Sequence, residues 1–147
     1  RDDFARKEIT ILPDLAPNLQ ETVCDRMQMR QAFINLLQNA RQAVSRGGMI
    51  LIRTQNLNGY VRVRIADNGC GIPRDILQKI WSPFFTTKTH GTGLGLALVQ
   101  RIVDDHHGRI TIRSKEGRGT IVTLLFPVVE NEDRLLSRTA DSSDSSS

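Results

Sequence analysis

Three groups of residues have types and spacings suited to chemistry. Gln31, Asn35 and Asn39 recur every fourth position, which places their carboxamides on one stripe of a helix. Asparagine is a poor helix former, so two of them in mid-helix cost stability unless something recruits their amides. A carboxamide oxygen suits Mg²⁺, a hard cation that takes oxygen ligands and keeps phosphates and waters in its shell. The competing reading is a solvated polar face. The second group is D-N-G-C-G-I-P at 67–73. Its glycines allow a tight turn and close approach to a flat ligand, and Asp67 offers an acceptor that suits an adenine amino group. A plain turn between strand and helix would use the same residues. The third is H-G-T-G-L-G-L at 90–96, where glycines lead straight into a helix whose exposed amides favour phosphate. A flexible hinge is the alternative, and the lysine-bearing P-loop pattern does not occur.

The elements that must position these groups follow from apolar spacing. Residues 7–12 alternate as an edge or half-buried strand, and Pro13 and Pro17 break the pattern. A short strand is expected near Glu21 to Cys24. Asp25 can cap an amphipathic helix in which Phe33, Leu36, Leu37, Ala40, Ala43 and Val44 recur at three- and four-residue spacing, with Gly47 and Gly48 stopping it. Met49–Thr54 and Tyr60–Ala66 form β-rich runs across N-L-N-G, a hairpin that leaves Asp67 at a strand end. Pro73 can open a short helix through about Ile80, and Trp81 to Gly93 is a long irregular stretch. Leu94 to Asp105 returns to helical spacing and ends at Gly108, before a closing hairpin of Ile110–Arg113 and Thr120–Phe126 across E-G-R-G.

Composition bounds the remaining possibilities. The 147 residues are 39% hydrophobic, 24% charged and 5% aromatic, which suits one soluble domain with an aliphatic core. No stretch approaches the ~20 apolar residues needed to span a bilayer, and no signal sequence opens the chain, so a cytoplasmic location is expected. Cys24 and Cys70 lie far apart with no Cys-x-x-Cys pair, which points to two idle or buried thiols rather than a disulfide or zinc site. Net charge is +4, and residues 131–147 hold two Arg against four acids, so the excess elsewhere rises to +6. A polyphosphate ligand suits that excess, whereas no aromatic-interleaved basic patch argues for nucleic acid. The Ser-rich segment 131–147 is expected to be a disordered tail beyond a domain spanning 1–130. An Arg at position 1 suggests a piece of a longer chain.

The order of these motifs resembles the catalytic domain of sensor histidine kinases, of the Bergerat ATP-binding class, from about Ile9 to Pro127. N-L-L-Q-N-A is similar to the N box, D-N-G-C-G and G-T-G-L-G-L to the glycine boxes, and P-F-F to the F box. The P-F-F-T-T-K form is most similar to nitrogen-regulation type sensor kinases. The resemblance implies an α+β fold, a two-layer sandwich with a mixed sheet of about five strands on about three helices. ATP would lie between helices under a mobile lid. By the same resemblance Asn39 binds Mg²⁺ and Asn35 lies at the phosphates. Asp67 accepts from the adenine amino group with help from Thr120, and Gly69, Gly71 and Ile72 line the pocket. Phe85, Lys88, Gly91, Thr92, Gly93, Leu94 and Gly95 would bind the nucleotide, Lys88 reaching the phosphates from the lid and the three glycines letting it close, so that Asn35, Asn39 and Lys88 are the expected catalytic residues. Many relatives carry a Lys where Gln42 stands, so phosphate neutralisation would lean on Arg41 or Lys88.

The resemblance also bears on the reaction. Hydrolytic relatives place a Glu four residues before the metal asparagine, where this chain has Asn35. A carboxamide cannot take a proton at neutral pH, whereas a neutral imidazole acceptor already has a free lone pair. None of His90, His106 and His107 lies in a His-Glu-x-x-Asn/Thr helix; helix-end and surface roles, rather than a metal cluster, fit them. The phosphoacceptor, on a helical hairpin that also dimerises such kinases, is therefore expected outside this chain. The full-length protein would be a homodimer that can carry a membrane anchor, acting on a response regulator, and the isolated domain a monomer. A module that binds nucleotide only to switch partner contacts is the alternative.

Overall fold

The computed structural model describes residues 8–81 and 94–129. A five-stranded sheet carries the fold: β1 (Thr10–Asp14), β2 (Met49–Leu57), β3 (Tyr60–Asp67), β4 (Arg109–Lys115) and β5 (Gly119–Pro127), in spatial order β1-β2-β3-β5-β4. Only β1 and β2 pair in parallel, so the sheet is mixed as expected. Helices α1 (Arg26–Ala43) and α3 (Leu94–Asp105) cover one face, and the short α2 (Arg74–Leu77) follows β3. No described helix is long and apolar enough to cross a membrane.

Pairing register explains which side chains go inside. Ile50, Ile65 and Val122 fall in rows with Ile52, Val63, Leu124, Val61 and Phe126 that point to the helices, because alternate residues of a strand share a face. Against them pack Ala32, Leu36, Ala40 and Val44 of α1 and Val99, Ile102 and Val103 of α3. Fully burying one such Leu or Val contributes about 1.5 to 3 kcal/mol. This cluster fixes both helices on the sheet.

Local chemistry sets the boundaries. The Asp25 carboxylate accepts the Gln28 N–H at 3.0 Å, capping α1 as expected. Asn58 and Gly59, both at positive φ, close the β2–β3 hairpin in two residues, the conformation that matches strand twist. Pro13 does not end β1: the Thr10 N–H bonds Gly48 toward β2, so the alternate Pro13 nitrogen faces the free edge, where a missing donor costs no ladder bond. The expected strand at Glu21–Cys24 is absent. That segment is held instead by single bonds, from the Val129 N–H to Glu21 O at 2.7 Å and from the Gln20 N–H to Asn56 Oδ1 at 2.8 Å. Helix α3 ends in a left-handed residue, but this is His107 rather than Gly108; Gly108 is needed because a Cβ there would press on Leu125 O and the Phe126 ring.

Candidate functional site

The site grows from a row of polar residues inside an otherwise apolar face. Asp67 is the last residue of β3 and pairs with Thr120 of β5, which in turn pairs with Ser114 of β4. All three therefore point to the helix side of three adjacent strands. Thr120 is 9% exposed, and its hydroxyl lies 2.7 Å from Ser114 Oγ. Ser114 Oγ also accepts the Ile72 N–H at 2.7 Å and donates to Gly119 O at 3.0 Å. Sequence reasoning paired Asp67 with Thr120 but missed Ser114, because a lone serine between Arg and Lys carries no signal without the register.

The glycine loop is wedged between two parts of the chain. Asp67 Oδ1 accepts the Gly69 N–H at 2.8 Å, which turns the backbone out of β3. Cys70 then donates to Ala43 O at 3.0 Å at the end of α1 and accepts from Gly117 N–H at 2.6 Å in the β4–β5 turn. A Cβ at Gly69 would collide with the Ala43 carbonyl, and one at Gly71, where φ is +73°, with the Lys115 carbonyl. Both glycines are thus required by close approach to protein backbone, a cause the flat-ligand reading did not foresee. Cys24 and Cys70 are both exposed, which corrects the idea that they are buried.

Helix α1 brings the asparagines to the same end. Asn39 precedes Ala43 by one turn, about 6 Å along the axis at 1.5 Å per residue, so it lies one turn from the point where the glycine loop is bonded. Asn39 is exposed, and Asn35 is half-buried with its Oδ1 accepting from Gln31 Nε2 at 3.0 Å. Residues two apart do not share a helix face, so Arg41 does not stand beside Asn39, whereas Gln42 does. Leu94 and Gly95 open α3. Phe85, Lys88, His90, Gly91, Thr92 and Gly93 lie outside the described residues, as does the segment 131–147.

His106 has a structural place. Its Nδ1 lies 2.7 Å from Ile102 O, and its Nε2 accepts the Asp25 N–H at 2.9 Å, so the ring ties the end of α3 to the start of α1. With Nδ1 as the donor the neutral ring satisfies both contacts.

A polar row on the inner sheet face and an Asp-led glycine loop bonded to the end of an asparagine helix thus meet at one end of an α+β sandwich, which makes that end the candidate site. The chain belongs to the histidine kinase-, DNA gyrase B- and HSP90-like ATPase family, whose description matches residues 24–130. It is 43% identical to the signal transduction histidine-protein kinase AtoS of Escherichia coli over 82% of this chain and 20% of that protein. It is 39% identical to the sensor histidine kinase ZraS of Escherichia coli over 86% of this chain and 27% of that protein. The chain thus spans about a quarter or less of the length of these curated relatives. The solved catalytic domain of histidine kinase ThkA superposes with a TM-score of 0.77 at 34% identity, covering 86% of this chain and 84% of that one. Full-length ShkA in complex with AMPPNP superposes with a TM-score of 0.76 at 27% identity, covering 86% of this chain and 27% of that one.

Proposed function

We propose that this chain binds Mg-ATP and transfers its γ-phosphate to a histidine on a dimerisation hairpin outside the chain, as the catalytic part of a two-component sensor histidine kinase. The observation that carries the proposal is the Asp67–Thr120–Ser114 row beside a glycine loop bonded to α1 one turn from Asn39. Its support comes from family membership and from the likeness to histidine kinases over most of the chain.

Each described residue has a task in that reading. Asp67 accepts from the adenine amino group, a carboxylate being an acceptor at both oxygens, with Oδ1 also holding the Gly69 N–H. Thr120 assists directly or through water, and Gly69, Gly71 and Ile72 wall the base. The Asn39 oxygen is a hard neutral donor that fits Mg²⁺. Among the described residues no three His, Cys, Asp or Glu side chains gather to cage a metal, which suits a cation shared with phosphates. Bound Mg²⁺ supplies neutralisation of phosphate charge. Asn35 has its oxygen engaged by Gln31, so its NH₂ group is the part left to donate to phosphate oxygens. Phe85, Lys88, Gly91, Thr92 and Gly93 complete the pocket with Leu94 and Gly95 in this proposal, Lys88 supplying positive charge. Phosphoryl transfer needs positioning and neutralisation more than covalent help, and a neutral imidazole attacks without a base.

A response regulator takes the phosphoryl group onward; the solved complex of ThkA with its response regulator protein TrrA, 29% identical here with a TM-score of 0.73, supports that partner. The test mixes the chain with the parent kinase's dimeric hairpin and labelled ATP. Acid-labile, base-stable label on the hairpin is expected, formed slowly because separation forfeits the tether's effective concentration. Label on the isolated chain, or brisk phosphate release, would overturn the reaction.

A further inference from the structure

The sheet face opposite the helices carries a concentration of charge that the nucleotide site does not use. Alternate residues point outward there: Arg53 from β2, Arg62 and Arg64 from β3, and Arg109, Arg113 and Lys115 from β4. Asp14 is the one carboxylate at an outward position of the five strands, and it is bonded to Arg53 at 2.7 Å. No residue of this face belongs to the apolar core.

The arrangement is costly in the free domain. Arg53 and Arg64 stand directly opposite each other, a like-charge pairing that destabilises a sheet. The Nε atoms of Arg62 and Arg64 are buried without a hydrogen-bond partner, although Arg62 Nη2 donates to Gln55 Oε1. An anionic occupant would offset the like-charge opposition.

We propose that this outer face docks an acidic polypeptide segment in extended form. Arg62 and Arg64 are two residues apart on one strand, about 6.8 Å, which is the repeat of same-side residues in an extended chain. Arg109 lies across Leu125 from Arg62, two strand spacings or about 10 Å away, and Thr111 and Thr123 add hydroxyls between the cations. Arginine forks match carboxylates two bonds at a time. A single strand of nucleic acid would want stacking platforms, and the face has one aromatic, Tyr60, at its corner. A bilayer plane reaches projecting cations, whereas Arg62 and Arg64 are half-buried. The face is opposite Asp67, so a docked segment leaves the nucleotide side open.

The test uses the 147-residue chain and a fluorescent peptide with Glu at alternate positions, beside its Gln counterpart, anionic phospholipid vesicles and a single-stranded oligonucleotide. The Glu peptide should bind, more weakly as salt rises, with chemical-shift changes at Thr111 and Thr123 but not at Asp67. Reversing two exposed charges, Arg109→Glu with Arg113→Glu, should weaken it about tenfold, two lost pairs being worth roughly that much together. The milder pair Arg109→Gln and Arg113→Gln should weaken it less, which separates charge from misfolding. Equal binding of the Gln peptide, indifference to charge reversal, or preference for vesicles or oligonucleotide would overturn the proposal.

Discussion

At the scale of single residues, the site depends on a few hydrogen bonds whose partners are far apart in sequence. The strand-end place of Asp67 was legible from the β-rich run before it, and the resemblance had named Thr120 as its helper, which the β3–β5 register sets directly across from it. Ser114 was not, since its role exists only through the β4–β5 register. We expect Ser114→Ala to leave the Ile72 N–H and Thr120 hydroxyl without their partner and to lower stability by about 1 to 3 kcal/mol. Denaturant unfolding checks this, and an unchanged midpoint would mean that water replaces the hydroxyl. Replacing Asp67 by Asn should weaken ATP binding by about 1 to 3 kcal/mol in a folded protein, because a pure acceptor becomes a mixed group facing the same donor. Titration calorimetry showing undiminished affinity would remove Asp67 from the adenine contact. Asn39→Ala should leave ATP affinity insensitive to Mg²⁺; continued tightening by the cation would mean that another group holds it.

At the scale of elements, periodicity placed both long helices and the two hairpins, because each buries a continuous apolar stripe that its own residues announce. The departures have local causes: Pro13 is tolerated at a sheet edge, Glu21–Cys24 finds loop partners instead of a strand, and the left-handed turn out of α3 falls on His107, just before Gly108. The joint between elements is where substitutions should tell most. Gly71→Ala puts a Cβ onto the Lys115 carbonyl at positive φ and should cost about 2 to 4 kcal/mol through strain and overpacking. A thermal midpoint equal to the parent's would show that the glycine loop gives way easily. His106→Ala should be milder, about 0.5 to 1.5 kcal/mol, since it removes one hydrogen-bonding ring between α3 and α1. Chemical denaturation of both variants side by side ranks the two joints.

At the scale of the whole molecule, the sheet separates two surfaces. Its inner face carries the core and, at one end, the Asp67 row beside α1; its outer face carries the arginines. The α+β class and the five-strand mixed sheet were legible from the order of motifs, whereas the outer face was not. Arginines scattered over three strands look like ordinary solvated positions until the register brings them together. The positive excess read as suiting a polyphosphate is thus concentrated in part on the face away from the nucleotide site. The central claim is that the inner site holds an adenine nucleotide through Asp67. Its most direct test is a calorimetric titration of the chain with ATP and with GTP at equal Mg²⁺. Guanine presents a carbonyl where adenine presents an amino group, so Asp67 would face an acceptor, and leaving that pair unmatched is worth about 1 to 3 kcal/mol. ATP binding at least about tenfold tighter than GTP is the predicted result, and equal affinity for the two would contradict the account.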